Sequence, residues 1–124
     1  MKVIDTKKAP AAIGPYSQAM AVGNLVFTSG QIPLDPATGA VAGEDIVTQT
    51  EQAIANLAAV LEEAGTDLGK VVKTTCFLSD LGNFGVFNGI YEKYFPGKPA
   101  RSCVEVSKLP KGVLVEIEAV AEIG

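Results

Sequence analysis

Arg101 is the residue whose type and position most clearly suggest chemistry. It is the only arginine among ten lysines and arginines. A guanidinium presents a planar fork that binds a carboxylate or a phosphate through two hydrogen bonds. The alternative for an arginine at this position is a structural ion pair with a strand glutamate. Because Arg101 stands alone in an apolar segment, Arg101–Val106, we favour a ligand-binding role.

Two glutamates, Glu116 and Glu118, lie in a segment with strict two-residue alternation, Val113–Ile123. Alternation in a strand sends Glu116 and Glu118 to the face opposite the one that carries the apolar Val113, Val115, Ile117, Ala119 and Ala121. A partly buried carboxylate has a raised pKa, so Glu116 is a candidate general base. The alternative is an interfacial salt bridge with solvated glutamates, and for Glu118 and Glu122 we favour it.

The predicted pairing of the last two strands would bring these groups together. Val113–Ile123 and Arg101–Val106 are joined by Ser107–Gly112, in which Pro110 and Gly112 favour a turn. If the two strands form a hairpin, Cys103 faces Glu116 and Arg101 faces Glu118. We therefore expect the arginine, the cysteine and the carboxylates to share one face of the sheet.

Composition excludes many other chemistries. There is no histidine, so Ser-His and Cys-His nucleophile pairs and imidazole metal sites are absent. Two cysteines, Cys76 and Cys103, are too few for a Cys-only zinc site, and we expect both to be small buried residues rather than nucleophiles. A net charge of −4 and the lack of a basic tract make nucleic acid an unexpected ligand. We expect no metal and no organic cofactor.

The elements that must position these residues can be predicted from periodicity and turn signals. The 124 residues suit one domain, 1–124. Gly23-Asn24 predicts a hairpin between two strands, and Gly65 predicts the end of an amphipathic helix. The predicted elements are an edge strand Met1–Asp5, the hairpin Ser17–Val22 and Leu25–Gly30, a helix Asp45–Ala64, a strand Val71–Ser79, a helix Asn83–Phe95 and the final hairpin.

Two helices can cover only one face of such a sheet. Several strands are nevertheless apolar on both faces, as in Leu25–Gly30 and Val71–Ser79. A strand that is apolar on both faces is normally buried on both. We therefore expect the uncovered face to pack on another copy of the chain in a closed ring, the alternative being a monomer with an apolar patch. No signal peptide or membrane span is visible, so the default location is the cytoplasm.

Several segments together resemble a known family. They are Ala11–Gln18 (AAIGPYSQ), Thr28–Pro33 (TSGQIP), Val72–Thr75 (VKTT), Pro99–Val106 (PARSCVEV), Leu109-Pro110 and Val115–Ala119 (VEIEA). In these segments the chain resembles the Rid (YjgF) family of reactive-intermediate deaminases, and within it the RidA subgroup. The resemblance covers nearly the whole chain.

The resemblance implies a fold like that of bacterial chorismate mutase: an α+β domain with a mixed sheet, two helices on one face and a barrel-like homotrimer. It implies sites between subunits that hydrolyse 2-imino acids, such as 2-iminobutanoate and 2-iminopropanoate, to 2-keto acids and ammonia. Arg101 would bind the substrate carboxylate, Glu116 would activate water, and the backbone carbonyl of Cys103 would contact the imine nitrogen. The other implied pocket residues are Tyr16, Ser29, Gly30 and Asn88.

Other activities linked to the family are RNA cleavage, translation inhibition and chaperone-like binding. A non-catalytic binder of small carboxylates or of a partner protein is a further alternative. A pure binder would need Arg101 but no base at Glu116.

Overall fold

The computed structural model describes all 124 residues. Six strands and two helices follow one another along the chain: β1 Lys2–Ile4, β2 Ala19–Val22, β3 Leu25–Thr28, α1 Ile46–Glu63, β4 Val71–Leu78, α2 Phe84–Tyr94, β5 Ala100–Glu105 and β6 Val115–Glu122. Every predicted helix and strand is present, with ends shifted by at most two residues. Neither helix combines the length and the hydropathy that a membrane crossing requires.

The strands form one mixed sheet in the order β1-β2-β3-β6-β4-β5. All neighbours are antiparallel except β4 and β5, which run parallel. The hairpin at Gly23-Asn24 is confirmed, with Val22 paired to Leu25 and a φ of 59° at Gly23. This positive φ suits glycine, which has no Cβ to collide with its own backbone.

The predicted hairpin of the last two strands is wrong. Strand β4 lies between β5 and β6, pairing with β6 from Val71 to Leu78 and with β5 from Lys73 to Leu78. The physical reason is the connection between the two strands. Helix α2 returns the chain from the end of β4 to the side of the sheet where β4 begins, so β5 runs parallel to β4. Ser107–Gly112 is therefore a connection across β4 rather than a tight turn between neighbours.

Both helices cover the same face of the sheet, as predicted. The buried core is a single cluster of 21 residues that unites α1 and α2 with alternate residues of the strands. On β6 these are Val115, Ile117, Ala119 and Ala121. Asp45 caps α1 by accepting a hydrogen bond from the Thr48 amide at 2.9 Å, and Gly65 ends the helix region at φ 86°.

The opposite, open face of the sheet keeps apolar side chains exposed. Val22 is 48%, Phe27 44% and Val104 43% exposed, each on a different strand of that face. Several exposed apolar residues on one sheet face are typical of an interaction surface. Packing of the open face on a second copy of the chain stays a prediction.

A buried asparagine fixes the long loop between β3 and α1. Asn56 of α1 donates from its side-chain nitrogen to the carbonyls of Ile32 at 3.0 Å and Leu34 at 2.9 Å. Its own oxygen accepts from Gln52 at 2.9 Å. A loop whose backbone enters the core needs such partners, because unpaired buried carbonyls are destabilising. Asn56 thereby holds the chain segment just after Gly30.

We expect Asn56→Ala to lower the free energy of unfolding by about 2–3 kcal/mol, because two buried carbonyls lose their donor. Denaturant unfolding at one fixed protein concentration measures the change. Gln52→Ala is the matched control on the same helix; it removes only the outer hydrogen bond and should lower the free energy by less than about 1 kcal/mol. Equal effects of the two substitutions would contradict the tethering role of Asn56.

Candidate functional site

Arg101 points to the helix-covered side of the sheet, at its edge. It lies on β5, and its register partner on β4 is the buried Thr74. Its Nη1 donates a hydrogen bond to Oδ1 of Asn88 at 2.7 Å. The guanidinium carbon lies 4.8 Å from the centre of the Tyr91 ring and 5.5 Å from that of Phe84, a cation–π arrangement. Three residues of α2 therefore set the plane of the guanidinium.

No carboxylate neutralises Arg101 within the chain. The single salt bridge of the structure joins Lys8 and Glu62 at 3.8 Å on the surface. Arg101 instead lines a cavity of about 380 Å³ together with Asn88, Glu92 and Lys98. A structural ion pair between Arg101 and a strand glutamate of the same chain is thus excluded, and most of the five N–H donors of the guanidinium remain free for an anion.

A second cavity contains the other candidate residues. This cleft, of about 540 Å³, is lined by Tyr16, Ser29, Gly30 and Glu116, with Ile13 and Ile32 among its apolar walls. Ser29 donates its hydroxyl hydrogen to the Ser17 carbonyl at 2.6 Å, so its oxygen faces the cleft as an acceptor. The cleft is large enough for a small organic acid and is lined by two carboxylates, Glu118 and Glu116, of which Glu116 lies against Gly30.

The Glu116 carboxyl group is half-buried and lies against bare backbone. A Cβ built on Gly30 would collide with its Oε2 and would lie 2.7 Å from its Cδ. Glycine at position 30 therefore makes the space that the carboxyl group occupies. Burial raises the pKa of Glu116 above its ordinary value, and the charge of Glu118 raises it further. A carboxylate in such surroundings is a better proton acceptor than one in water.

Arg101 and Glu116 do not share a face, which corrects the prediction. The register partner of Glu116 on β4 is Phe77, three positions from Thr74, so their side chains leave the sheet on opposite sides. Glu118 likewise faces Thr75 rather than Arg101. Strand β4 separates the two groups, which we name the arginine half and the glutamate half of the candidate site.

Cys103 is also not opposite Glu116. Its register partner is Cys76 of β4, and both cysteines are free. Burial raises the pKa of both thiols, that of Cys76 to about 12. Both thiols are therefore protonated near neutrality. Cys76 is buried as expected, whereas Cys103 on the edge strand is only half-buried.

The backbone of Cys103, unlike its thiol, is placed for contact. The Val106 amide donates to the Leu78 carbonyl at 2.9 Å. The even-numbered residues of β5 therefore direct their backbone N–H and C=O groups toward β4. Because these groups alternate along a strand, the backbone of Arg101 and Cys103 faces the free edge of the sheet. The Cys103 carbonyl is thus an acceptor beside the arginine half.

Gln18 is a residue of the cleft to which no role was assigned from the sequence. Its side chain is buried, accepts from the Thr6 amide at 2.7 Å and donates to the carbonyls of Thr6, Ala9 and Pro10. It therefore holds the loop that leads to Ile13 and Tyr16. The available sequence signal for this role was a single glutamine beside an apolar strand. Its hydrogen-bond partners lie eight to twelve residues away in the chain, so a local pattern does not identify them.

Comparison with known proteins identifies the family. The family model described as "Endoribonuclease L-PSP" matches residues 6–123. The chain belongs to the YjgF/Rid family. A curated relative from Salmonella typhimurium, named 2-iminobutanoate/2-iminopropanoate deaminase, is 53% identical over 97% of this chain and 96% of its own.

Solved structures of Rid proteins have the same fold as this Rid chain. YyfA of Yersinia pestis, described as a conserved Rid family protein, is 52% identical and superimposes with a TM-score of 0.95 over 98% of each chain. TdcF of E. coli, solved with bound serine, is 42% identical with a TM-score of 0.95 over 100% of each chain. The mixed sheet with two helices, expected from the sequence, is thereby confirmed.

We expect Gly30→Ala in this Rid chain to push the Glu116 carboxyl group out of its place, because the new Cβ would collide with it. The pKa of Glu116 should then fall toward its ordinary value of 4.5 as the group meets more water. Carbon-13 NMR titration of glutamate side chains measures this. Gly85→Ala is the matched control, since its Cβ would meet nothing within 4 Å; an unchanged Glu116 titration in Gly30→Ala would refute the assignment.

Proposed function

We propose that this protein hydrolyses 2-imino acids, such as 2-iminobutanoate and 2-iminopropanoate, to 2-keto acids and ammonia. We propose further that each site forms between two subunits of a homotrimer, with the arginine half from one and the glutamate half from its neighbour. The observation that carries both statements is the separation of Arg101 and Glu116 by strand β4. Each half is incomplete alone, and the exposed apolar open face supplies a surface on which subunits can pack.

The substrate class is supported by the chemistry of the arginine half and by the relatives. A guanidinium with free N–H donors binds a carboxylate at two points. The serine named in the TdcF structure carries the same α-carboxylate as an imino acid, and the Salmonella relative is named for imine hydrolysis. The apolar walls of the glutamate half, such as Ile13 and Ile32, suit the short side chain of such a substrate.

The reaction requires few groups, because an imine carbon is already electrophilic. Glu116 accepts a proton from water as the water oxygen bonds to the imine carbon. Glu116 returns that proton to nitrogen, which gives a carbinolamine. Glu116 then moves the proton of the carbinol hydroxyl to the same nitrogen, so that the C–N bond breaks, the C=O bond forms and ammonia leaves with the keto acid. The Cys103 carbonyl accepts from the imine N–H, and Asn88 orients Arg101. Tyr16, Ser29 and Gly30 shape the pocket, and general base catalysis of this kind contributes about 10²–10⁴-fold.

Two other functions can be distinguished from imine hydrolysis by experiment. A non-catalytic carboxylate binder needs Arg101 but not a raised pKa at Glu116. Cleavage of RNA, suggested by the family description, is disfavoured by a net charge of −4 and by the absence of histidine. A coupled assay in which a threonine dehydratase generates 2-iminobutanoate, with keto-acid release followed, separates hydrolysis from both.

Mixing two inactive variants tests the shared site directly. We expect Arg101→Ala and Glu116→Gln each to lose imine hydrolysis when pure. After co-refolding at equal amounts, a site is intact where a Glu116→Gln chain supplies Arg101 and its Arg101→Ala neighbour supplies Glu116. Random assembly into a closed ring makes about one quarter of the sites intact. The coupled assay should therefore recover about a quarter of the parent activity.

Two controls make the mixing result unambiguous. The first control is a double variant, Arg101→Ala with Glu116→Gln, co-refolded with the parent. Imine hydrolysis by this mixture should not exceed that of the same amount of parent alone. Native mass spectrometry should give trimers for every sample. Absence of recovery in properly mixed trimers would place both residues of a working site in one chain and overturn the proposal.

The pH profile tests the role of Glu116. Because Glu116 must be ionised to accept a proton, kcat/KM should fall as pH drops through its raised pKa. The Glu118 charge contributes to that raised pKa. Glu118→Gln should therefore lower the pKa of Glu116 and move the acidic limb of the profile to lower pH. A limb that does not move in the variant would show that another group titrates.

A further inference from the structure

The ring beneath Arg101 is itself fixed by a buried pair of hydroxyls. The Tyr91 hydroxyl lies 2.7 Å from the Thr74 hydroxyl, and neither is open to solvent. Thr74 is fully buried in the middle of β4, and its oxygen also accepts from the Cys76 thiol at 3.9 Å. Burial raises the pKa of Tyr91, so its phenol stays protonated near neutrality.

The position of this pair follows from the sheet register. Thr74 of β4 is the register partner of Arg101 on β5, so one pair of strands carries both the guanidinium and the anchor of the ring below it. Phe95 stacks on the other side of Tyr91, with ring centres 4.3 Å apart and planes 23° apart. Tyr91 is thus held at its tip by Thr74 and on its face by Phe95.

Packing alone does not require these hydroxyls. Val fits the space of Thr74 in a strand, and Phe fits that of Tyr91, and apolar residues at both places would bury no polar atom. Replacing both partners of a buried hydrogen bond with apolar groups of the same shape is often close to neutral for stability. A hydrogen-bonded pair at this position therefore calls for a reason other than stability.

We propose that Thr74 and Tyr91 are positioning residues for Arg101, which set the plane of its guanidinium so that its free edge meets the substrate carboxylate. The Thr74 hydroxyl stops rotation and tilt of the Tyr91 ring, and the ring sets the guanidinium plane at 4.8 Å. Asn88 then occupies one N–H at 2.7 Å and fixes rotation within that plane. This inference rests on the proposed role of Arg101 in binding a carboxylate.

The test compares four variants: Thr74→Val, Tyr91→Phe, these two combined, and Thr74→Ser. The combined variant keeps the ring, the stack and the volume but removes both hydroxyls, so no buried hydroxyl is left unpaired and only the Cys76 thiol, a weak donor, loses its acceptor. We expect it to form folded trimers with a melting temperature near that of the parent. Its KM for 2-iminobutanoate should rise about tenfold while kcat changes by less than about twofold. Thr74→Ser, which keeps the hydroxyl, should restore the parent KM.

A second readout does not depend on the proposed function. Because the chain has one arginine, its Nε–H gives a single assigned signal in nitrogen-15 NMR. In the combined variant the Arg101 Nε–H should become more mobile on the nanosecond scale, and in Thr74→Ser it should not. Parent-like Arg101 mobility in the combined variant overturns the positioning role, whatever the activity.

The outcomes separate the two proposals. If the parent shows no imine hydrolysis but Arg101 loosens in the combined variant, the positioning role stands and the proposed function fails. If the combined variant loses stability while its KM and the Arg101 signal stay those of the parent, the hydroxyl pair is only a core hydrogen bond and the inference is wrong.

Discussion

The parallel pairing of β5 with β4 is the constraint that builds the arginine half and separates it from Glu116 on β6. It places Arg101 beside Thr74 and above Tyr91, and it makes β5 the edge of the sheet. Because alternate residues of an edge strand have unpaired backbone groups, Arg101 and Cys103 keep free N–H and carbonyl groups where a ligand can meet them. An antiparallel hairpin of β5 on β6 would have put β5 inside the sheet and left the arginine side chain without α2 beneath it.

The glutamate half depends on buried amide side chains rather than on regular pairing. Its walls come from two irregular segments, one held by Gln18 and the other by Asn56. Each amide satisfies several backbone groups at once, which lets a loop enter the core without orphaned carbonyls. Gly30 lies between these segments, where the absence of a side chain makes room for the Glu116 carboxyl group. The loops therefore have side-chain partners for backbone groups that no strand pairs.

Local signals in the sequence were sufficient for the elements but not for their pairing. The Asp45 cap, the Gly65 stop and the alternation of Val113–Ile123 are all set by residues close in the chain, and each was confirmed. The partner of β5 depends on the crossover through α2, and two short strands joined by Pro110 and Gly112 read equally well as a hairpin. The wrong partner strand placed Arg101 on the wrong face of the sheet. The partner and register of a strand decide which of its alternating side chains face the core.

Local sequence signals were also insufficient to identify the residues that hold the candidate site in place. Arg101, Glu116 and Gly30 were identified by residue type and by family resemblance, and the structure places them in two cavities. The groups that hold them were not identified, because Thr74 and Tyr91 lie 17 residues apart and resemble ordinary core residues. A hydrogen bond between distant buried hydroxyls leaves no periodic or compositional trace in a single sequence.

Keeping the arginine and the glutamate apart has a chemical consequence at the proposed shared site. A guanidinium in direct contact with Glu116 would stabilise the carboxylate, lower its pKa and weaken it as a base. Raised basicity therefore requires that Arg101 approach the substrate carboxylate without reaching Glu116. A free arginine side chain would close that distance, because opposite charges in a partly buried site attract strongly. Asn88 and the Tyr91 ring oppose such a collapse by binding the guanidinium on one edge and one face. Under the proposed function, the substrate carboxylate is then the group that neutralises Arg101, while Glu116 remains free to accept a proton from water.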